Sequence, residues 1–332
     1  MTRGIAAPAL LVVLLGHSPL AAQVRFEKRH DAVVIEINGK PFSNLYFGQI
    51  QRMPHLHPLR TASGVPVTRG FPVEPLPGDS TDRPNHRGLM IGAERVKGPV
   101  PEKLVSQLFG WGQNFFDNDP SNAGPDKASI EFKELTSAVG GADRGTLSMV
   151  AHWISREGKL WLIERRRMTF YTRPADSRMF DVDVELEAAE QVTFTDYQSS
   201  GLSIRLDLPF DDHYGGQALI ASGGINEAGA RGRRSPWLDW TATLRNGEKV
   251  GVAVFDHPKN LNYPTRWQVR AKGFFVANPF AGQVFKAFDP TAASENAEHT
   301  MKRGDKLRLR YRVVIHPAER KLEDLLKEFT SQ

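Results

Sequence analysis

Apolar and polar residues alternate with period two along most of the chain. In LRLRYRVVIHP, Leu307, Leu309, Tyr311, Val313 and Ile315 fall on one face of an extended segment, and Arg308, Arg310 and Arg312 on the other. MFDVDVELEA does the same, with Phe180, Val182, Val184 and Leu186 set against Asp181, Asp183 and Glu185. Between such runs stand NGK at 38–40, REGK at 156–159 and RNGEK at 245–249, sequences of the hairpin-turn kind. Only the tail, ERKLEDLLKEF, has helical spacing, at Leu322, Leu325, Leu326 and Phe329. No repeat of fixed period is visible, which argues against a propeller or solenoid. The pattern predicts an all-β fold: a large antiparallel two-sheet β-sandwich with long loops and a C-terminal helix, forming one domain over 23–332.

Two stretches lack strand signal. Residues 48–88 carry seven prolines, and 97–127 are rich in Gly, Asn, Asp and Pro. Both hold aromatic and charged residues in close array, HLHPLRT and LFGWGQNFFDND. Disordered segments are depleted in such aromatics, so ordered loops walling a site are expected.

Composition places the chain among ordinary globular proteins, with 332 residues, 40% hydrophobic and 24% charged. The formal charge of +5 is spread along the sequence, with no basic block interleaved with aromatics, so nucleic acid is not an expected partner. Arg3, the apolar run from Ile5 to Leu15 and the small residues Ala21 and Ala22 read as an export signal cleaved near Ala22. A periplasmic or secreted location follows, and no later segment is apolar enough to span a bilayer. The absence of cysteine excludes disulfides, thiolate catalysis and thiolate metal sites.

The polar candidates fall in three places. HLHPLR supplies His55, His57 and Arg60; DRPNHRGLMIG supplies His86 and Arg87; FDHPKNLNYPTRW supplies Asp256, His257, Asn260, Arg266 and Trp267. In one reading they form a carbohydrate enzyme. His86 or His257 exchanges a proton, Asp256 orients an imidazole, and Arg60, Arg87, Asn260 and Arg266 bind hydroxyls or carboxylates. Trp111, Trp237 and Trp267 are then stacking platforms. In a second reading, His55 and His57, two apart on an extended segment, begin a metal site; the expectation is that no metal is held. The third is a binding module without turnover. Loops 48–88, 106–120 and 256–270 are expected to wall one cleft, in which His86 and Arg87 meet Asp256 and His257. No cofactor is expected: GGINEAGARGRRSPW lacks the strand–loop–helix context of a phosphate loop, and no Gly-x-Ser-x-Gly elbow occurs. The ligand expected is a small molecule or oligosaccharide.

PLRTASGVPVTRGFP, NHRGLMIG, GVAVFDHPKNLNYPTRWQVR, GFFVANPF and YRVVIHP, in this order over roughly residues 40–317, resemble the motifs of the PmoA-like family of exported bacterial proteins of undetermined function. The methane-oxidising activity in that name does not carry over, since it requires several membrane spans. Family members often read HPHHRGL where this chain has Arg83 and Asn85, so a role needing paired histidines there does not transfer. In architecture alone the expected sandwich resembles that of galactose mutarotases and polysaccharide lyases, and fold does not fix function.

Overall fold

The computed structural model describes residues 23–48, 52–99, 112–116 and 128–331. The expected export segment, Trp111 and most of the 97–127 loop lie outside them. Two antiparallel sheets of eight strands dominate. Sheet one runs β1 (Val24–Lys28), β2 (Ala32–Ile37), β3 (Lys40–Tyr46), β4 (His55–His57), β5 (Leu89–Ala93), β12 (Ser200–Arg205), β17 (Phe274–Asn278) and β16 (Arg266–Arg270). Sheet two runs β13 (Gln217–Ile220), β14 (Trp237–Thr243), β15 (Lys249–Asp256), β19 (Lys306–Pro317), β10 (Arg178–Ala188), β9 (Leu160–Tyr171), β8 (Arg144–Ile154) and β7 (Ser129–Val139). A small third sheet joins β18 (His299–Met301), β11 (Val192–Phe194) and β6 (Val96–Lys97).

The two alternating runs of the sequence become direct neighbours. β10 and β19 pair antiparallel, with Val182 opposite Tyr311 and Val184 opposite Leu309, all buried. On the other face Asp181, Asp183 and Glu185 stand opposite Arg312, Arg310 and Arg308. A slip of one residue would turn every arginine into the core, so hydrophobic pattern and charge specify the same register. The three turn sequences all close hairpins. Asn38 and Gly39 have φ of 55° and 73°, the paired positive values of a type I′ turn between β2 and β3.

The inner faces of the sheets share one hydrophobic core, in which Phe42 meets Phe170 and Phe180 edge to face. Trp267, expected as a stacking platform, belongs to this core. It is fully buried, packs near Phe275 and donates its indole N–H to Ser235 O at 2.9 Å. The ERRR run splits by parity. Arg165 and Arg167 are exposed, while Glu164 and Arg166 point inward as a buried ion pair at 2.6 Å, joined by Trp153 Nε1. The C-terminal helix (Glu323–Thr330) lays Leu322, Leu325 and Phe329 on the outer face of sheet two, against Met179, Phe255 and Val314. Half-buried Trp237 packs on this cluster and is no open platform.

Candidate functional site

Strand alternation gives sheet one a second row of side chains, facing away from the core. Register places Tyr46, His55, Met90 and Ser203 in line across β3, β4, β5 and β12. Such a face is ordinarily solvated, but here His55, His57 and Ser203 are fully buried. Their polar atoms are nonetheless left over. His55 Nδ1 lies 3.2 Å from Met53 O, while His55 Nε2, both ring nitrogens of His57 and Ser203 Oγ have no hydrogen-bond partner among the described residues. Burial and the Arg87 guanidinium hold His55 down at about 3. Burial, His55, Arg60 and Arg87 do the same to His57, also at about 3. Both rings are therefore neutral at ordinary pH.

The His86–Arg87 pair is delivered to this face by a buried guanidinium. Arg69 Nη1 donates to Ser80 O and Asp82 O at 3.1 and 2.6 Å, and Nη2 to Arg83 O and His86 O at 2.9 and 2.8 Å. One side chain thus gathers four carbonyls of the 80–86 loop. Arg205, from β12, adds an ion pair to Asp82 at 2.8 Å. The ring of His86 stacks on Phe274 at 3.9 Å, and burial with the Arg205 and Arg69 charges holds it at about 3. Arg87 is buried and donates Nε–H to Pro84 O at 3.2 Å. Its charge acts on both His55 and His57. Two of the three sequence-predicted clusters, HLHPLR and NHRG, therefore meet.

The third cluster does not join them, and the expected shared cleft is corrected accordingly. Asp256 closes β15 and His257 is the first residue past it, and the two side chains point to opposite faces, His257 into the cavity on the outer face of sheet two. Asp256 is buried, accepting from Asn260 Nδ2 at 2.7 Å and from Thr265 N–H at 2.8 Å, and burial pushes its carboxyl up to about 7. It orients a turn, not an imidazole. Asn260 completes that turn through Arg310 O at 2.7 Å. Arg266 is a structural ion-pair centre: it is buried, with Asp289 and Glu295 each at 2.7 Å, and its hydrogen bonds pull Glu295 down to about 2. His257 lies instead on the outer face of sheet two, beside Arg308 and Arg310. Among the described residues no three His, Asp or Glu side chains converge as a metal site, so the His55–His57 pair gains no third ligand there.

Sequence reasoning missed Arg69, Ser203 and Arg205. Arg69 bonds mostly carbonyls, and carbonyl partners leave no trace in residue types. The signal for Ser203 and Arg205 was available: in GLSIRL they are the polar half of an alternating strand. What alternation does not show is that this polar half is covered.

No curated protein matches the sequence. Among solved structures the chain is similar to a putative kojibiose phosphorylase from human microbiome, with 10% identity, 61% of this chain covered and a TM-score of 0.31. It spans 23% of the length of that protein. It is also similar to a galactose mutarotase-like protein from Lactobacillus casei ATCC 334, with 8% identity, 88% of this chain, 100% of that chain and a TM-score of 0.36. A galactose mutarotase-like protein from Clostridium acetobutylicum gives 9% identity, 90% and 99% coverage and a TM-score of 0.36. Likeness at these scores carries no activity across. The family model that matches corrects the expected PmoA-like membership: it is the family of unknown function DUF6807, matched over residues 32–330, and this chain belongs to it.

Proposed function

We propose that the protein recognises a carboxylate-bearing carbohydrate, a sugar acid, on the covered outer face of sheet one. The observation that supports this reading is the group of buried polar atoms without a partner among the described residues: His55 Nε2, both His57 ring nitrogens and Ser203 Oγ. Leaving a buried polar atom unpaired costs about 1–3 kcal/mol. Several together call for a partner outside the chain. A neutral imidazole offers one donor and one acceptor, and a hydroxyl offers both. That combination complements adjacent sugar hydroxyls. Arg60 and Arg87 act electrostatically on His57 and are suited to pairing with a carboxylate. Histidines held near 3 are weak bases, which favours recognition through hydrogen bonds over acid–base turnover.

A His57→Leu protein tests this reading. Calorimetric titration with glucuronate and galacturonate, set against glucose and galactose, should show uronate binding to the unchanged protein. Affinity should fall by about tenfold or more in the variant, the loss of one or more hydrogen bonds. Its melting temperature should hold or rise, because an unpaired buried polar ring has been replaced by an apolar group. Uronate affinity unchanged in His57→Leu, or absent from the start, would sink the proposal.

Export belongs to the same reading. The mature chain should begin near Gln23, which N-terminal sequencing of the protein recovered outside the cytoplasm checks. Retention of the Met-Thr-Arg start would contradict it.

A further inference from the structure

The outer face of sheet two carries a cavity of about 430 Å³, lined by Arg144, Arg167, Arg308 and Arg310 together with Asp181 and Asp183. Strand register explains its charge. Asp183 stands opposite both Arg167 of β9 and Arg310 of β19. Its carboxylate nevertheless pairs with Arg308. Asp181 is held by Arg312 at 2.7 Å and by the Tyr171 hydroxyl at 2.7 Å. Both carboxylates are thus engaged. Arg144, Arg167 and Arg310 make no side-chain ion pair or hydrogen bond among the described residues. Four guanidiniums against two carboxylates leave a surplus of two positive charges around one hollow.

His257 supplies an independent observation. It lines the same cavity and is 1% exposed. Its Nδ1 accepts Lys259 N–H at 3.1 Å, so the neutral ring carries its proton on Nε2. That Nε2 is buried without a hydrogen-bond partner among the described residues. Phe329 of the C-terminal helix meets the imidazole edge to face at 5.1 Å and closes one wall.

We propose that this cavity binds a small ligand carrying an oxyanion group, with Arg144, Arg167 and Arg310 as its charge partners and His257 Nε2 as a hydrogen-bond donor. The volume lies within the range of small-molecule sites, about 300–1,000 Å³. Guanidiniums pair with carboxylate, sulfate and phosphate through the same planar fork. The site is independent of the sugar-acid reading, since the two lie on opposite outer faces of the sandwich.

Citrate, inorganic sulfate and inorganic phosphate, titrated separately at low ionic strength, distinguish the three sources. At least one should bind the unchanged protein, and the affinity should fall by about tenfold or more in the double variant Arg167→Gln/Arg310→Gln. The His57→Leu protein should bind that anion as the unchanged protein does, which separates this site from the one on sheet one. Should the double variant fail to fold, Arg144→Gln at the start of β8 gives the same readout. Binding of none of the three anions, or equal affinity with and without the arginines, overturns the proposal.

Discussion

Replacing Gly88 by alanine is expected to destabilise the protein by about 3 kcal/mol or more, combining left-handed backbone strain with overpacking. Gly88 has φ of +44°, and a Cβ there would lie 2.0 Å from Leu56 O and 3.1 Å from His57 Cβ. Neither side can easily withdraw. Leu56 sits in β4, paired to β5 directly after the glycine, and Gly88 O accepts Arg205 N–H at 2.9 Å from β12. The residue is thus clamped between two strands at the point where the His86–Arg87 loop enters the sheet. Gly158→Ala supplies the comparison. That glycine has φ of +75° in the β8–β9 turn with nothing within 4 Å, so it carries backbone strain alone, about 1 kcal/mol. Urea denaturation of both proteins reads the difference. Equal losses in the two would show that the close approach at Gly88 is not a constraint.

Stability should fall steeply on acidification below about pH 6.5. His55, His57 and His86 are each lowered to about 3 in the folded protein, against about 6.5 in an unfolded chain. A depressed group contributes stability that is present above its unfolded value and is lost as pH falls towards its folded one. At pH 5 the unfolded chain therefore binds about three protons at these histidines that the folded protein does not. Asp256 acts in the opposite sense. Raised to about 7, it is protonated when folded and ionised when unfolded, so unfolding there releases about one proton at pH 5. These four groups together leave a net uptake of about two protons, a slope of about 3 kcal/mol per pH unit. Denaturation curves between pH 4.5 and 6.5 measure it. In His57→Leu the slope should drop by about one proton's worth, and in Asp256→Asn it should steepen by as much. A flat profile over this range would show that the three imidazoles ionise freely in the folded state.

Much of the architecture was legible because a strand writes its two faces into alternate residues. Val182, Val184, Leu309 and Val313 are buried where period two put them, and the opposed Asp and Arg rows of β10 and β19 carry even the pairing register. The hairpin turns were legible through glycine and asparagine, the residues that tolerate positive φ. Periodicity fails where both faces of a sheet are covered. The polar members of the outer row of sheet one, His55 and Ser203, read as the wet side of a strand and are buried instead.

Fold class and turns could be read from the residues alone, as could the presence of the HLHPLR and NHRG motifs. Each of these is local or periodic, so neighbouring residues suffice to specify it. Which motifs meet depends on long-range packing, which no local pattern encodes. Asp256 and His257 looked like one catalytic pair because they are adjacent in the chain, yet at the exit of an extended strand neighbouring side chains turn to opposite faces. Trp267 and Arg266 looked like ligand contacts, and long-range partners made them core and ion-pair structure. Arg69 holds Ser80, Asp82, Arg83 and His86 through their carbonyl oxygens, atoms that every residue type shares. A bond to a group common to all residues leaves no sequence signature, and only folding shows which guanidinium makes it.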